Sequence, residues 1–312
     1  HIKLQKQNYL QNKDKIISQL YKFIDDIFEE NRKLLVSDIY ENVEKINSNL
    51  GILINTENIY ESFENKITAG FYKTEMQKQI DEYQNELDQY FTTHQDADVA
   101  LSQWLTEHFS KQQLLDLLTA ILNDNESLAE ISARSYQHGN GFLKVVLLDR
   151  GYKLRLHIWF AGQSCEENIH DHRWSFSSLV LSGALVSEIW LDEQTGHCFE
   201  EYQYHAATKQ QAPFKISTGA KFLKLDHVQT NTAGDSYVMP KGKLHRIINP
   251  GHQLVATIMC SAPTEQGTTR LIPMHNGIDP NIQPPKTTVE QLRVSLEQFI
   301  QYMQQEVIND AA

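Results

Sequence analysis

The chain has 312 residues, enough for two domains with cores of their own. Apolar residues make up 40% and charged residues 22%, a globular balance that excludes a disordered chain. With 28 Lys and Arg against 40 Asp and Glu, the formal charge is −12, and a surface of that sign repels phosphate backbones, so no nucleic-acid partner is expected.

Up to about residue 130 the apolar spacing is helical. Ile17, Leu20, Ile24 and Ile27 recur at three and four residues. A second long helix is expected from about Glu57 to about Tyr90, with Ile59, Phe63, Ile67 and Phe71 at four-residue steps. Two shorter ones are expected near 99–109 and 112–122, and Asn123 to Ser127 reads as a turn. No proline interrupts residues 1–212.

From about Ser132 the period becomes two. Lys153, Arg155, His157 and Trp159 alternate with Leu154, Leu156 and Ile158, which predicts a strand with two distinct faces. FLKVVLL (142–148) lies ahead of it across an Asp-Arg-Gly turn, so the two form a hairpin. Further strands are expected at 178–183, 184–191, 221–225, 236–240 and 253–260, and many short strands between turn residues indicate a sandwich or barrel. After Pro284 and Pro285 the chain returns to helix. Thr287 and Glu290 have the spacing of a capping box, and Val289, Leu292, Leu296, Phe299, Met303 and Val307 form one stripe, expected to pack on the barrel or on the earlier helices.

Residues 168–176 read NIHDHRWSF. In a strand His170 and His172 point to one side and can offer two imidazoles to one ion. Alone, such a pair is weak evidence. The stretch GDSYVMPKGKLHRIIN (234–249) adds a third histidine in a specific setting: Gly234, Pro240, Gly242, His245 and Asn249 stand at the spacing of the second motif of the cupin superfamily. Five fixed identities of that kind arise by accident on the order of once in ten thousand chains. The first cupin motif is matched in part. His170, His172 and Gly183 are in register, Gly162 falls two residues early, and the glutamate position holds Phe176.

The sequence therefore resembles the cupins, and among them the three-histidine thiol dioxygenases of the cysteine dioxygenase type. IHDH (169–172) and the preceding LRLHIW (154–159) carry that closer likeness, which spans about residues 132–265. The departures are specific. Phe176 and Ser177 stand where those enzymes hold a cysteine cross-linked to a tyrosine, and residues 256–260 read Ala, Thr, Ile, Met and Cys where they hold Ser-x-His-x-Tyr.

The periodicity and the resemblance together give an α+β chain: an all-helical N-terminal domain (1–130) and a C-terminal amphipathic helix (286–312), both read from apolar spacing, around a cupin barrel of the double-stranded β-helix type (131–285), which the resemblance implies. It implies a metal held by His170, His172 and His245, iron(II) first, with manganese, nickel and zinc as alternatives. The expected function is an oxygenase for a small, carboxylate-bearing molecule, its partners being that molecule and dioxygen. The alternatives are a non-redox isomerase or lyase, and a ligand-sensing module that uses the helical domain. Trp159 maps onto a pocket-lining tryptophan of the family, and parity then puts Arg155 and His157 on the same inward face. Substrate contacts are expected from Arg155, His157, Trp159, Trp174, Phe176 and Arg134, the two arginines as carboxylate anchors. No catalytic side chain beyond the metal ligands is singled out.

Tyr237, His138 and Cys260 also fall near the expected pocket. Packing explains Tyr237 and Cys260 at least as well as chemistry does, and the segment around His138 reads as a turn at the pocket rim. Three cysteines (Cys165, Cys198 and Cys260) are too few and too odd for a disulfide framework, which fits the cytoplasm. No apolar run reaches the ~18 residues that cross a bilayer. Residues 1–130 are candidates for dimerisation or for holding a protein partner.

Overall fold

The computed structural model describes residues 79–206, 210–274 and 285–310. The expectations for residues 1–78, including the Ile17–Ile27 face and most of the helix from Glu57, lie outside the described residues. The described part opens with helix α1 (79–93), followed by α2 (Val99–His108), α3 (Lys111–Asn123) and α4 (Asn125–Arg134). Each of the last three has a side-chain cap. Asp98 accepts from the Leu101 N–H, Ser110 and Gln113 form a reciprocal box, and Asp124 accepts from the Glu126 N–H. The residues expected to form a plain turn at 123–127 therefore start a helix, because aspartate serves a cap as readily as a turn.

Two six-stranded antiparallel sheets follow. One runs in the order β1 (Tyr136–His138), β2 (Phe142–Asp149), β3 (Lys153–Trp159), β11 (Val255–Ser261), β6 (Phe176–Ser182), β9 (Ser236–Met239). The other runs β4 (Cys165–Glu166), β10 (His245–Asn249), β5 (Ile169–His170), β12 (Thr269–Ile272), β7 (Ala184–His205), β8 (Phe214–Thr232). The architecture is a β-sandwich closed at its C-terminus by helix α5 (Val289–Asp310).

The first sheet has two working faces. Leu143, Val145, Leu147, Leu154, Leu156, Ile158, Leu179, Leu181, Ala256, Ile258 and Cys260 share one apolar cluster with helix residues such as Leu101, Phe109, Leu118, Leu128, Leu296 and Phe299. Burying each large aliphatic or aromatic side chain contributes roughly 1.5–3 kcal/mol. The intervening residues of β3 line the cavity. Helices from 79 to 134 and α5 thus build one core with the sheet, and the C-terminal stripe meets α3 and α4. Cys260 belongs to this helix-facing set, and burial pushes its thiol pKa up.

Three local expectations shift. The cap of α5 uses Thr288 and Gln291, one residue later than expected, because Thr287 spends its N–H and hydroxyl on the carbonyls of Ser135 and Ser132. Strands β7 and β8 extend far past their apolar stretches into one long hairpin, with irregular register between Asp192 and His197. Gly196 permits this approach, since a Cβ there would stand 2.2 Å from the Leu223 carbonyl oxygen. His172 lies just beyond β5 rather than within it. No helix among the described residues is long and apolar enough to cross a membrane.

Gly183 turns the chain from β6 in one sheet to β7 in the other at φ +72°, and a Cβ there would lie 2.4 Å from the Leu254 carbonyl oxygen. Gly234 also has a left-handed φ of +96°, but open space surrounds it. Gly183→Ala is expected to cost about 2–4 kcal/mol and Gly234→Ala only about 1 kcal/mol. Urea midpoints for the two variants check this order, and equal costs would refute the tight corner.

Candidate metal centre

The third histidine reaches the first by strand pairing. β10 runs antiparallel to β5 with His245 directly opposite His170. His172 follows in an irregular segment held by backbone bonds: the Gly242 N–H donates to the His172 carbonyl, the Glu265 N–H to that of Arg173, and the Ala262 N–H to that of Ser175. The Gly242 turn thus fixes both His245, which follows it, and His172, which it bonds.

The ring centroids stand 4.8 Å (His170–His172), 4.7 Å (His170–His245) and 5.1 Å (His172–His245) apart. One ligand nitrogen from each lies within 4.8 Å of the others. Nitrogens bound to one zinc-like ion at about 2.1 Å lie closer than that, so the three rings would have to approach one another to hold one. The Nδ1 atoms of His170 and His245 sit 2.9 Å from the carbonyl oxygens of Asn168 and Lys243. A carbonyl only accepts, so each Nδ1 carries the proton and each Nε2 keeps its lone pair for a metal. Burial holds His172 well below the ordinary histidine pKa, and it holds His245 down to about 3, with the neighbouring His170 adding to the effect. His172 and His245 are thus held neutral, the state in which an imidazole binds a divalent ion.

The acid between the histidines does not join them. Asp171 is buried and accepts from the Arg270 N–H at 2.7 Å, on the β12 side. Phe176 opens β6 with its ring 5.7 Å from that of His172 and 6.2 Å from that of His245. The donor set is therefore three imidazoles with a phenyl ring against two of them.

A cavity of about 740 Å³ opens onto the cluster. Every expected contact residue lines it: Arg155, His157, Trp159, Trp174, Phe176 and Arg134. Their situations differ. Trp174 stacks on His172 at 4.8 Å, and the Arg155 guanidinium lies 5.6 Å from the Trp174 ring centre, so a chain of contacts joins Arg155 to the cluster. His157 is buried and neutral, burial being the largest cause and the charges of Lys144 and Arg155 following, and its Nε2 has no hydrogen-bond partner. Arg134, by contrast, donates from Nε to the Val146 carbonyl and from an Nη to that of Leu147, which ties α4 to β2. Tyr237 also lines the cavity, and burial pushes its phenol up to about 12.

His138 stacks on Phe142 at the rim and accepts from the Asn140 N–H, away from the histidine cluster's partners. Two cavity residues, Lys144 and Tyr136, were not singled out from the sequence. Lys144 stands inside the apolar run FLKVVLL at the parity of Phe142, and directly opposite His157. A lone lysine at that parity was the available signal.

By sequence, no family model and no curated protein matches the chain. Solved structures do match. An RmlC-like cupin from Shewanella frigidimarina NCIMB 400 aligns over 43% of this chain and 86% of its own, at 16% identity and a TM-score of 0.27. A protein with a double-stranded β-helix domain from Klebsiella pneumoniae covers 46% of this chain and 95% of its own, at 17% identity and a TM-score of 0.27. The polyketide cyclase RemF from Streptomyces resistomycificus covers 46% and 82%, at 10% identity and a TM-score of 0.28. At such scores and identities, the functional reading rests on the side chains above and not on these likenesses.

Removing a ligand is expected to remove the metal. His170→Ala, His172→Ala and His245→Ala should each abolish stoichiometric divalent metal in the purified protein. Asp171→Asn, which keeps an oxygen for the Arg270 N–H, should leave it unchanged. Elemental analysis decides, and a loss in Asp171→Asn equal to that of the histidine variants would disprove the three-imidazole set.

Proposed function

We propose that the protein is an iron(II)-dependent oxygenase acting on a small, carboxylate-bearing molecule, in the reducing setting of the cytoplasm that its sparse, odd cysteine set suits. The observation that carries this reading is the donor set. Three imidazoles converge with no carboxylate among them, so they would hold a divalent ion without cancelling its charge. Iron(II) held there supplies dioxygen activation next to a bound substrate.

The chain's own groups do the rest. Arg155 is a fork of N–H donors suited to grip a carboxylate in two-pronged fashion, and its stacking against Trp174 keeps the grip close to His172. The buried rings of Trp159 and Phe176, with Trp174 and Met259, exclude water from the reacting end. His157 offers Nε2 for a hydrogen bond to the substrate.

The same unpartnered His157 favours a second reading, a non-redox isomerase or lyase with manganese, nickel or zinc, in which this neutral imidazole takes up a proton. Metal analysis of protein purified without added metal, followed by oxygen-uptake assays with small organic acids, separates the two. The oxygenase reading expects iron and substrate-dependent oxygen consumption. Manganese, nickel or zinc with turnover in the absence of oxygen would replace it with the second. Bound metal without any turnover would favour a ligand-sensing role, with residues 1–130 as the partner-binding part. For the anchoring role, Arg155→Met is expected to raise KM by about 10–100-fold, the loss of a charge-assisted carboxylate contact. An unchanged KM would rule Arg155 out.

A further inference from the structure

The charge in the cavity is out of keeping with the chain. Overall the protein is at −12, yet six cavity-lining side chains are cationic (Arg134, Lys144, Lys153, Arg155, Arg173 and Lys286) and two are acidic, Asp149 and Glu167. Most of these charges have partners in the protein. Lys153 pairs with Asp149 at 2.8 Å. Arg134 and Arg173 donate to backbone carbonyls, and the Lys286 ammonium donates to the Arg134 carbonyl. Glu167 is satisfied by N–H donors, from the Asn140 amide and the Ile247 backbone, and takes no cation within ion-pair distance among the described residues.

Two cations, Arg155 and Lys144, have neither a carboxylate within ion-pair distance nor a carbonyl to donate to among the described residues. Arg155 is buried with an aromatic neighbour, Trp174. Lys144 has its ammonium 5.2 Å from the Tyr136 ring centre and 5.6 Å from that of Phe142. The register sets them as diagonal neighbours, since Lys144 pairs with His157 and Val146 with Arg155. Like charges so placed repel each other, and burial disfavours each of them further. Burial accordingly pulls both pKa values below their ordinary range. Anions supplied by a ligand relieve both costs.

Building on the reading of this cavity as a substrate site, we propose that it contains a second anion-binding subsite made by Lys144 with Tyr136 and Lys286, so that the natural occupant is a small molecule bearing two acidic groups. Arg155, joined to His172 through Trp174, takes the acidic group nearer the metal. Lys144 takes the other, with the Tyr136 phenol beside it and the Lys286 ammonium 4.7 Å from the same ring. The two strand positions are about 7–8 Å apart as diagonal neighbours, which suits acidic groups a few bonds apart.

Calorimetric titration of the full-length protein, with its metal and without oxygen, tests this. The probes are succinate and glutarate, the monoacid butyrate, and 3-phosphonopropionate, which asks whether a phosphonate replaces the second carboxylate. At least one dianion is expected to bind ten-fold or more tightly than butyrate. Lys144→Met should bring the ratio of dianion to butyrate affinity down to about one. Equal affinity of wild-type protein for mono- and dianions would overturn the proposal without recourse to any variant, as would a dianion preference that survives in a folded Lys144→Met protein. Because no oxygen is present, the outcome is separable from the oxygenase reading. Dianion selectivity with no oxygen uptake keeps the subsite and loses the oxygenase, and oxygen uptake with monoacids alone does the opposite.

Discussion

The pairing of β10 with β5 is the constraint on which the site depends. Residues directly opposite in an antiparallel pair hold their Cβ atoms about 4.5–5.5 Å apart, which is the reach two imidazoles need to share an ion. A slip of one residue would send His245 to the other face. Glu167 guards the register from the neighbouring segment. Its N–H donates to the Ile247 carbonyl, and its carboxylate accepts from the Ile247 N–H and from Asn140. A buried carboxylate that receives two N–H donors without a cation is costly to place and tolerates little displacement. Stability and ligand geometry are therefore set by the same few hydrogen bonds.

The first sheet separates folding from chemistry by parity. One set of alternate residues on β2, β3 and β11 is aliphatic and meets the helices. The other set brings Lys144, Arg155, His157 and Trp159 into the cavity. The helix-facing layer is nearly free of polar groups, so its burial offsets what the opposite face loses by holding cations and an unpartnered histidine away from bulk water. The helices are thus more than an appendage: by covering the outer face, they allow the inner face to be polar.

Several features were legible beforehand for clear reasons. The alternation at 153–159 survives in sequence because both faces of β3 are constrained, one by packing and the other by the cavity. The spacing from Gly234 to Asn249 is legible because a left-handed turn, a proline and a second left-handed glycine restrict the chain at fixed intervals. Strands β4 and β12 were not foreseen, since two to four residues carry no periodicity to detect. The long β7–β8 hairpin was foreseen only at 184–191 and 221–225. The rest, largely exposed, is held by backbone pairing, to which side-chain polarity is blind. Lys144 was passed over because a single lysine in an apolar strand reads as a snorkelling side chain until the face it points from is known.

By itself, the sequence determined the class of elements after residue 79, the identity of three histidines as a set, and the face of β3 that carries Arg155 and His157. The first follows from local periodicity, which acts over a few residues; the other two rest on the resemblance, with strand parity carrying it from Trp159 to Arg155 and His157. Only the tertiary structure decided that Phe176 stands against the imidazoles, that Arg134 is spent on backbone carbonyls, and that Lys144 and Arg155 have neither a carboxylate nor a carbonyl partner among the described residues. Such facts depend on which strands become neighbours. Pairing brings together residues some seventy positions apart in the chain, and it is the long-range register, unseen in any local window, that assigns each side chain its partner or leaves it without one.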